Sequence, residues 1–152
     1  MKAHFSLISA AVFAGGVLSI AAEAQTPPAG YWQFVESREI LKLDRCGAAL
    51  CATLVKLAPS AKQQLDAQNP DVRLKRRALC GLTLISGLRP APNSQWIGGS
   101  GYNPEDGRTY TVSLKNVSPT SMTMRASIRG LGLFGSSYQL RAVSNPSPCR
   151  SP

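Results

Sequence analysis

Residues 109–117, TYTVSLKNV, and residues 121–128, SMTMRASI, decide the fold. In the first, Tyr110, Val112 and Leu114 share one face and Thr109, Thr111 and Ser113 the other. In the second, Met122, Met124, Ala126 and Ile128 oppose Thr123, Arg125 and Ser127. Successive side chains of a strand point to opposite faces, so this strict alternation marks strands with one face buried and one in water, as in antiparallel sheets. Just upstream, Asn103-Pro104-Glu105-Asp106-Gly107 is a turn, with Pro presetting φ and Gly supplying a positive φ. Further strand signals fall at 31–36, 39–43, 50–57, 79–85, 95–99 and 136–143, joined by short connections. Residues 58–78, APSAKQQLDAQNPDVRLKRRA, are polar, basic and without alternation. They read as an excursion from the sheet, with a short helix over 61–67 capped by Ser60 and ended by Asn69-Pro70-Asp71. Such a pattern predicts an all-β domain of about eight strands, a small antiparallel barrel or sandwich. Its inward face of Tyr, Val, Met and Leu makes either a packed core or a small apolar cavity.

The chain has 152 residues and a net charge of +9; 43% of it is hydrophobic and 16% charged, the balance of one globular domain. Residues 1–24 open with Lys2, continue without charge from Phe5 to Ala22, and end Ala22-Glu23-Ala24. This reads as a cleaved secretory signal, with a retained anchor as the alternative. The following Gln25 is not a lipid-accepting Cys, so the expectation is a soluble exported, periplasmic domain over 25–152 with no transmembrane anchor, its core at 30–143 and its tail at 144–152. Cleavage removes Lys2 and Glu23 together, leaving the charge at +9, and removes the sole histidine, His4. Without histidine there is no Ser-His-Asp or Cys-His machinery and no His-containing zinc site. The four Cys, at 46, 51, 80 and 149, lack paired C-x2-C spacing. No metal, no cofactor and no enzyme is therefore expected.

Four Cys in an exported chain read first as two disulfides, for which three connectivities exist. Cys46 and Cys51 flank Gly47-Ala48-Ala49-Leu50 between two apolar runs, which sets them across a hairpin end. That pairing leaves Cys80 to Cys149, stapling the tail to the body; buried free thiols are the rival reading.

Several stretches together resemble a bacterial family of small exported proteins known only as domain of unknown function 2147. They are Gly30-Tyr31-Trp32, CGAALC at 46–51, NPDVRLKRRALCGLTLISGL at 69–88, QWIGGSGYNPEDGRTY at 95–110, and the region from Gly135 to Arg141. The resemblance implies a lipocalin-like β-barrel in the bacterial envelope, without an assigned reaction. It also implies that Trp32, on the first strand, is covered by Arg141, on the last, at the closed end of the barrel. The sequence departs from the family's pattern at Ala126-Ser127, near Phe134 and at Gln139, so the Cys80–Cys149 pairing does not carry over from it.

Candidate pocket-lining residues are Trp96, Tyr110, Val112, Leu114, Met122 and Met124. Arg73, Lys75, Arg76 and Arg77, in RLKRR, are candidate contacts for an anionic head group or surface; a merely solvated loop is the plain alternative. No aromatic interleaves with that cluster for base stacking, which with the export signal argues against nucleic acid. Asp71 and Asp106 read as turn residues rather than catalytic carboxylates. The sequence thus favours a non-catalytic binder of a small apolar or amphiphilic anionic ligand such as a lipid. The alternative is a filled barrel acting as an envelope structural or interaction protein through its basic surface.

Overall fold

The computed structural model describes residues 25–147 and Cys149; the expected signal segment, 1–24, lies outside them. Eight strands follow in order: β1 Gly30–Phe34, β2 Ile40–Cys46, β3 Ala49–Lys56, β4 Thr83–Ala91, β5 Gln95–Asn103, β6 Arg108–Lys115, β7 Ser121–Ser127 and β8 Gly135–Val143. Each pairs antiparallel with the next, and β1 pairs with β8, closing an up-and-down barrel. The closing register runs from Tyr31↔Val143 to Phe34↔Leu140.

The alternation seen in the sequence sets the inside and outside of this barrel. Val112 and Leu114 on β6, and Met122 and Met124 on β7, are buried, and Val112 lies opposite Ala126 while Leu114 lies opposite Met124. β7 ends at Ser127, so Ile128 falls beyond it and is 50% exposed. β4 begins later than the run at 79–85 suggested, at Thr83, and β5 continues through the glycines to Asn103. Those glycines have a packing cause. A Cβ on Gly99 would stand 2.8 Å from Leu88 Cδ2, and one on Gly101 would collide with Val112 Cγ2. β5 gives up side chains so that Leu88 and Val112 can fill the interior.

The two ends of the barrel differ. At one end, residues 25–29 lie across the opening, Trp32 Nε1 donates to Pro28 O at 2.9 Å, and Gln25 Nε2 donates to Gln95 O at 3.3 Å. Trp32, Leu43, Leu50, Leu88, Trp96 and Leu140 are all buried there or toward it. The other end carries the connections 35–39, 57–82, 104–107 and 128–134 and is open.

Two expectations are corrected. No helix forms at 61–67. Instead Leu65 bridges antiparallel to Ala78, Asp66 N donates to Arg77 O, and Leu79 N donates to Gln64 O. These bonds hold the backbone in a folded-back loop and compete with a helical ladder. Nor does Arg141 cover Trp32. Gln33 is opposite Arg141, and Trp32 opposite Ala142, so alternation turns Trp32 inward and Arg141 outward. The Arg141 guanidinium donates to Gln33 Oε1 at 2.7 and 3.1 Å, and the cover on Trp32 is the Pro28 carbonyl.

Both disulfides form as Cys46–Cys51 and Cys80–Cys149, with Cα–Cα distances of 5.8 and 6.1 Å. Cys149 N also donates to Val55 O, so the tail returns to β3. The separations of 5 and 69 residues imply unequal stabilisation, since a longer closed loop removes more unfolded-state entropy. Replacing Cys80 and Cys149 by Ser should lower stability by about 4 kcal/mol, and replacing Cys46 and Cys51 by about 2 kcal/mol. Urea midpoints of the two double variants check the order.

Candidate functional site

The open end leads into a cavity of about 880 Å³. Its floor is apolar: Leu41, Leu54, Ile85, Val112 and Met124 come from β2, β3, β4, β6 and β7. Its upper wall is aromatic. Phe34 and Tyr138 pack edge to face, with centroids 5.9 Å apart at 88°, and Tyr102 and Tyr110 stand on β5 and β6. The charged groups in the lining are Glu36, Glu39, Lys62 and Glu105. Burial pushes the Glu39 carboxyl up and the Glu105 carboxylate adds to this, against a hydrogen bond from Ser37. The arrangement suits enclosing an apolar body with a polar group at the mouth.

Behind this wall lies a buried polar clasp. Asp66 is fully buried. Its carboxylate accepts from Tyr102 Oη at 2.5 Å, from Asn69 Nδ2 at 2.7 Å, and from Arg77 Nε and Nη2, both at 2.8 Å. The Arg77 guanidinium also lies over the Tyr102 ring, 5.7 Å from its centroid. Burial alone would raise the Asp66 carboxyl; the bonds from Tyr102, Asn69 and Arg77 and the Arg77 charge outweigh it and hold it below its ordinary value. Burial and the same carboxylate push Tyr102 up to about 12. Gly107, with φ +69°, presses on Gln68 O where a Cβ would clash, so the 104–107 turn and the 57–82 connection interlock. Tyr102 thus belongs both to the cavity lining and to the clasp that positions one side of the mouth.

Of the candidate pocket residues, Tyr110, Val112 and Met124 line the cavity, while Trp96, Leu114 and Met122 lie in the filled core and do not. Position along the strand separates them: Met122 and Met124 share a face, but Met124 is nearer the open end. The indole N–H of Trp96 has no hydrogen-bond partner among the described residues. None of Arg73, Lys75, Arg76 and Arg77 lines the cavity. Arg77 is committed to Asp66, and Arg73 to Asp71, with Nη2–Oδ2 at 2.7 Å. Asp71 and Asp106 are turn residues as read, their Oδ1 atoms accepting from Arg73 N and Arg108 N. Reading the sequence by motif notes Asp66 only as a carboxylate near motifs, without its structural role, and misses Glu39. Asp66 carried one usable signal: with Asp71 it is one of only two acids in the basic 58–78 segment.

A closed eight-stranded antiparallel barrel with one filled end and one open apolar end is a lipocalin-like fold. The chain matches the family model described as "Uncharacterized protein conserved in bacteria (DUF2147)" over residues 30–141, and it belongs to that family. Among solved structures it is similar to protein HP1028 from the human pathogen Helicobacter pylori, described as belonging to the lipocalin family. The identity is 21% and the TM-score 0.70, covering 78% of this chain and 84% of that one. No curated protein matches the chain.

A carboxyl whose folded pKa is depressed contributes stability above its unfolded value, here 3.8, and loses it as pH falls through the folded value. Amides paired across 64–66 and 77–79 should therefore exchange slowly near neutral pH and open in acid below about pH 4. Asp66→Asn should remove most of that acid dependence and cost about 2–3 kcal/mol, by leaving Arg77 without its ion pair. Hydrogen exchange followed by mass spectrometry reads both effects.

Proposed function

We propose that this protein is a non-catalytic binder of a small apolar or amphiphilic molecule, working in the bacterial envelope after export. The observation that carries the reading is the cavity of about 880 Å³ with an apolar floor, within the usual size range of small-ligand sites. The lipocalin-like fold and membership of a family without an assigned reaction favour binding over catalysis. Two disulfides favour an oxidising compartment, which agrees with the signal-like segment at 1–24.

The ligand's apolar part rests against Leu41, Leu54, Val112 and Met124. Its polar end meets Glu36, Glu39, Glu105 and Lys62 at the mouth, and this replaces the RLKRR segment as the place of head-group recognition. The alternative of a wholly filled barrel applies to the other end only.

Ala126 lines the cavity and is partly buried. Ala126→Trp should fill the space and weaken binding of an uncharged naphthylamine fluorophore by about ten-fold or more, equivalent to about 1.4 kcal/mol. Leu114→Met, a volume-conserving change in the filled half, should leave that affinity unchanged. A native mass spectrum of the protein purified from its source should carry an additional lipid-sized mass. A clean apo mass together with no fluorophore binding would contradict the proposal.

A further inference from the structure

The four most exposed large apolar side chains among the described residues are Leu133 at 92%, Val72 at 73%, Phe134 at 64% and Leu131 at 53%. All four lie on connections at the open end, and three share the 128–134 hairpin. Strays on a surface are ordinary, but a contiguous apolar group beside a cavity mouth marks an interaction site.

This hairpin is not a loose loop. Leu131 N donates to Ile128 O, Phe134 N to Leu131 O, and Ile128 N to Phe134 O, at 2.9–3.2 Å. Arg125 Nη2 reaches from β7 to the carbonyls of Gly132 and Leu133, at 3.1 and 3.2 Å. Arg125 thus braces the turn while its leucines face water. Ile128 and Phe134 also line the cavity, so the apolar surface runs unbroken from the tip into the barrel.

The cations at this end are divided between this hairpin and the loop opposite it. Arg129 sits within the hairpin. Across the mouth, the 57–82 connection carries Lys62, Lys75 and Arg76, and neither Lys75 nor Arg76 forms an ion pair among the described residues. The carboxylates at this end without an ion pair among the described residues, Glu36, Glu39, Glu105 and Asp106, stand on the two neighbouring hairpins, 35–39 and 104–107. An apolar tip with its own Arg, faced across the mouth by exposed Val72 beside Lys75 and Arg76, can meet an anionic bilayer, the apolar groups entering the headgroup boundary and the cations meeting lipid phosphates.

We propose that the 128–134 hairpin docks the open end of the barrel onto an anionic membrane surface, with Leu131 and Leu133 entering the lipid interface and Arg129 contacting head groups. Docked in this way, an apolar ligand passes between bilayer and cavity along Ile128 and Phe134 without crossing water. That consequence rests on the binder reading; the docking itself does not.

The test is flotation of residues 25–152, which hold all eight strands and both disulfides, with vesicles rich in phosphatidylglycerol or made of phosphatidylcholine alone. The unaltered protein should float with the first, less with the second, and less with either at high salt. Leu131→Ser with Leu133→Ser should reduce binding about ten-fold or more, and Arg129→Gln about five-fold on phosphatidylglycerol only. Neither change touches the cavity lining, so fluorophore affinity and thermal midpoint should stay put. No flotation at low salt, or a double leucine variant that floats like the parent, overturns the proposal. So does a dimer seen by sedimentation that the leucine changes dissolve, since a second copy would then be the occupant. Loss of fluorophore binding in the parent with flotation intact would instead strike the binder reading alone.

Discussion

The pairing of β1 with β8 is the constraint on which the rest depends. Without it the sheet would have two exposed edges, each a template for another strand. With it, eight antiparallel strands enclose a fixed interior whose width lies at the margin between a filled core and a small-ligand cavity. Which of the two results is then decided locally by side-chain size along the barrel axis. At one end Trp32, Trp96, Leu50, Leu88 and Leu140 are buried together, and residues 25–29 cross over them. Toward the other, Gly101 on β5 and Ala126 on β7 add little bulk to the wall beside Tyr102 and Met124, and the space persists.

The open end is kept in shape by polar chemistry rather than apolar packing. Residues 57–82 have few buried apolar side chains, and Asp66 supplies the missing organisation. One carboxylate gathers a tyrosine from β5, an asparagine from its own turn and an arginine from the far side of the loop. A buried charge is tolerable only when paired and fully hydrogen-bonded, and here the charge and two bonds of Arg77, with the bonds from Tyr102 and Asn69, meet that demand. The basic segment at 73–77 is therefore divided in purpose. Arg77 is structural, Arg73 closes a turn on Asp71, and Lys75 and Arg76 remain for the surface.

Much of the fold was legible because strand alternation is a local signal. Tyr110, Val112, Met122 and Met124 announced the inward face, and Cys46 and Cys51 announced a hairpin end. The division of that face into core and cavity was not legible, since Met122 and Met124 differ only in their height in the barrel. Arg141 was misplaced because a family likeness gives a residue's neighbourhood but not its parity; with Gln33 opposite it, it faces outward. The helix expected at 61–67 failed for a similar reason. Ser60 and Asn69-Pro70 are honest boundary signals, yet the long-range bonds from Asp66 to Tyr102 and Arg77 are invisible to a local reading.

The pair of methionines on β7 offers the most direct test of the central claim, that one half of this barrel is hollow and receives an apolar ligand. Met122 and Met124 share the inward face, but only Met124 lines the cavity. With both methyl groups labelled and observed by NMR, titration with a short-chain alkyl amphiphile below its micelle concentration should shift the Met124 resonance saturably and leave Met122 in place. If neither resonance moved, or both moved together, the account of a half-filled, ligand-accepting barrel would be contradicted.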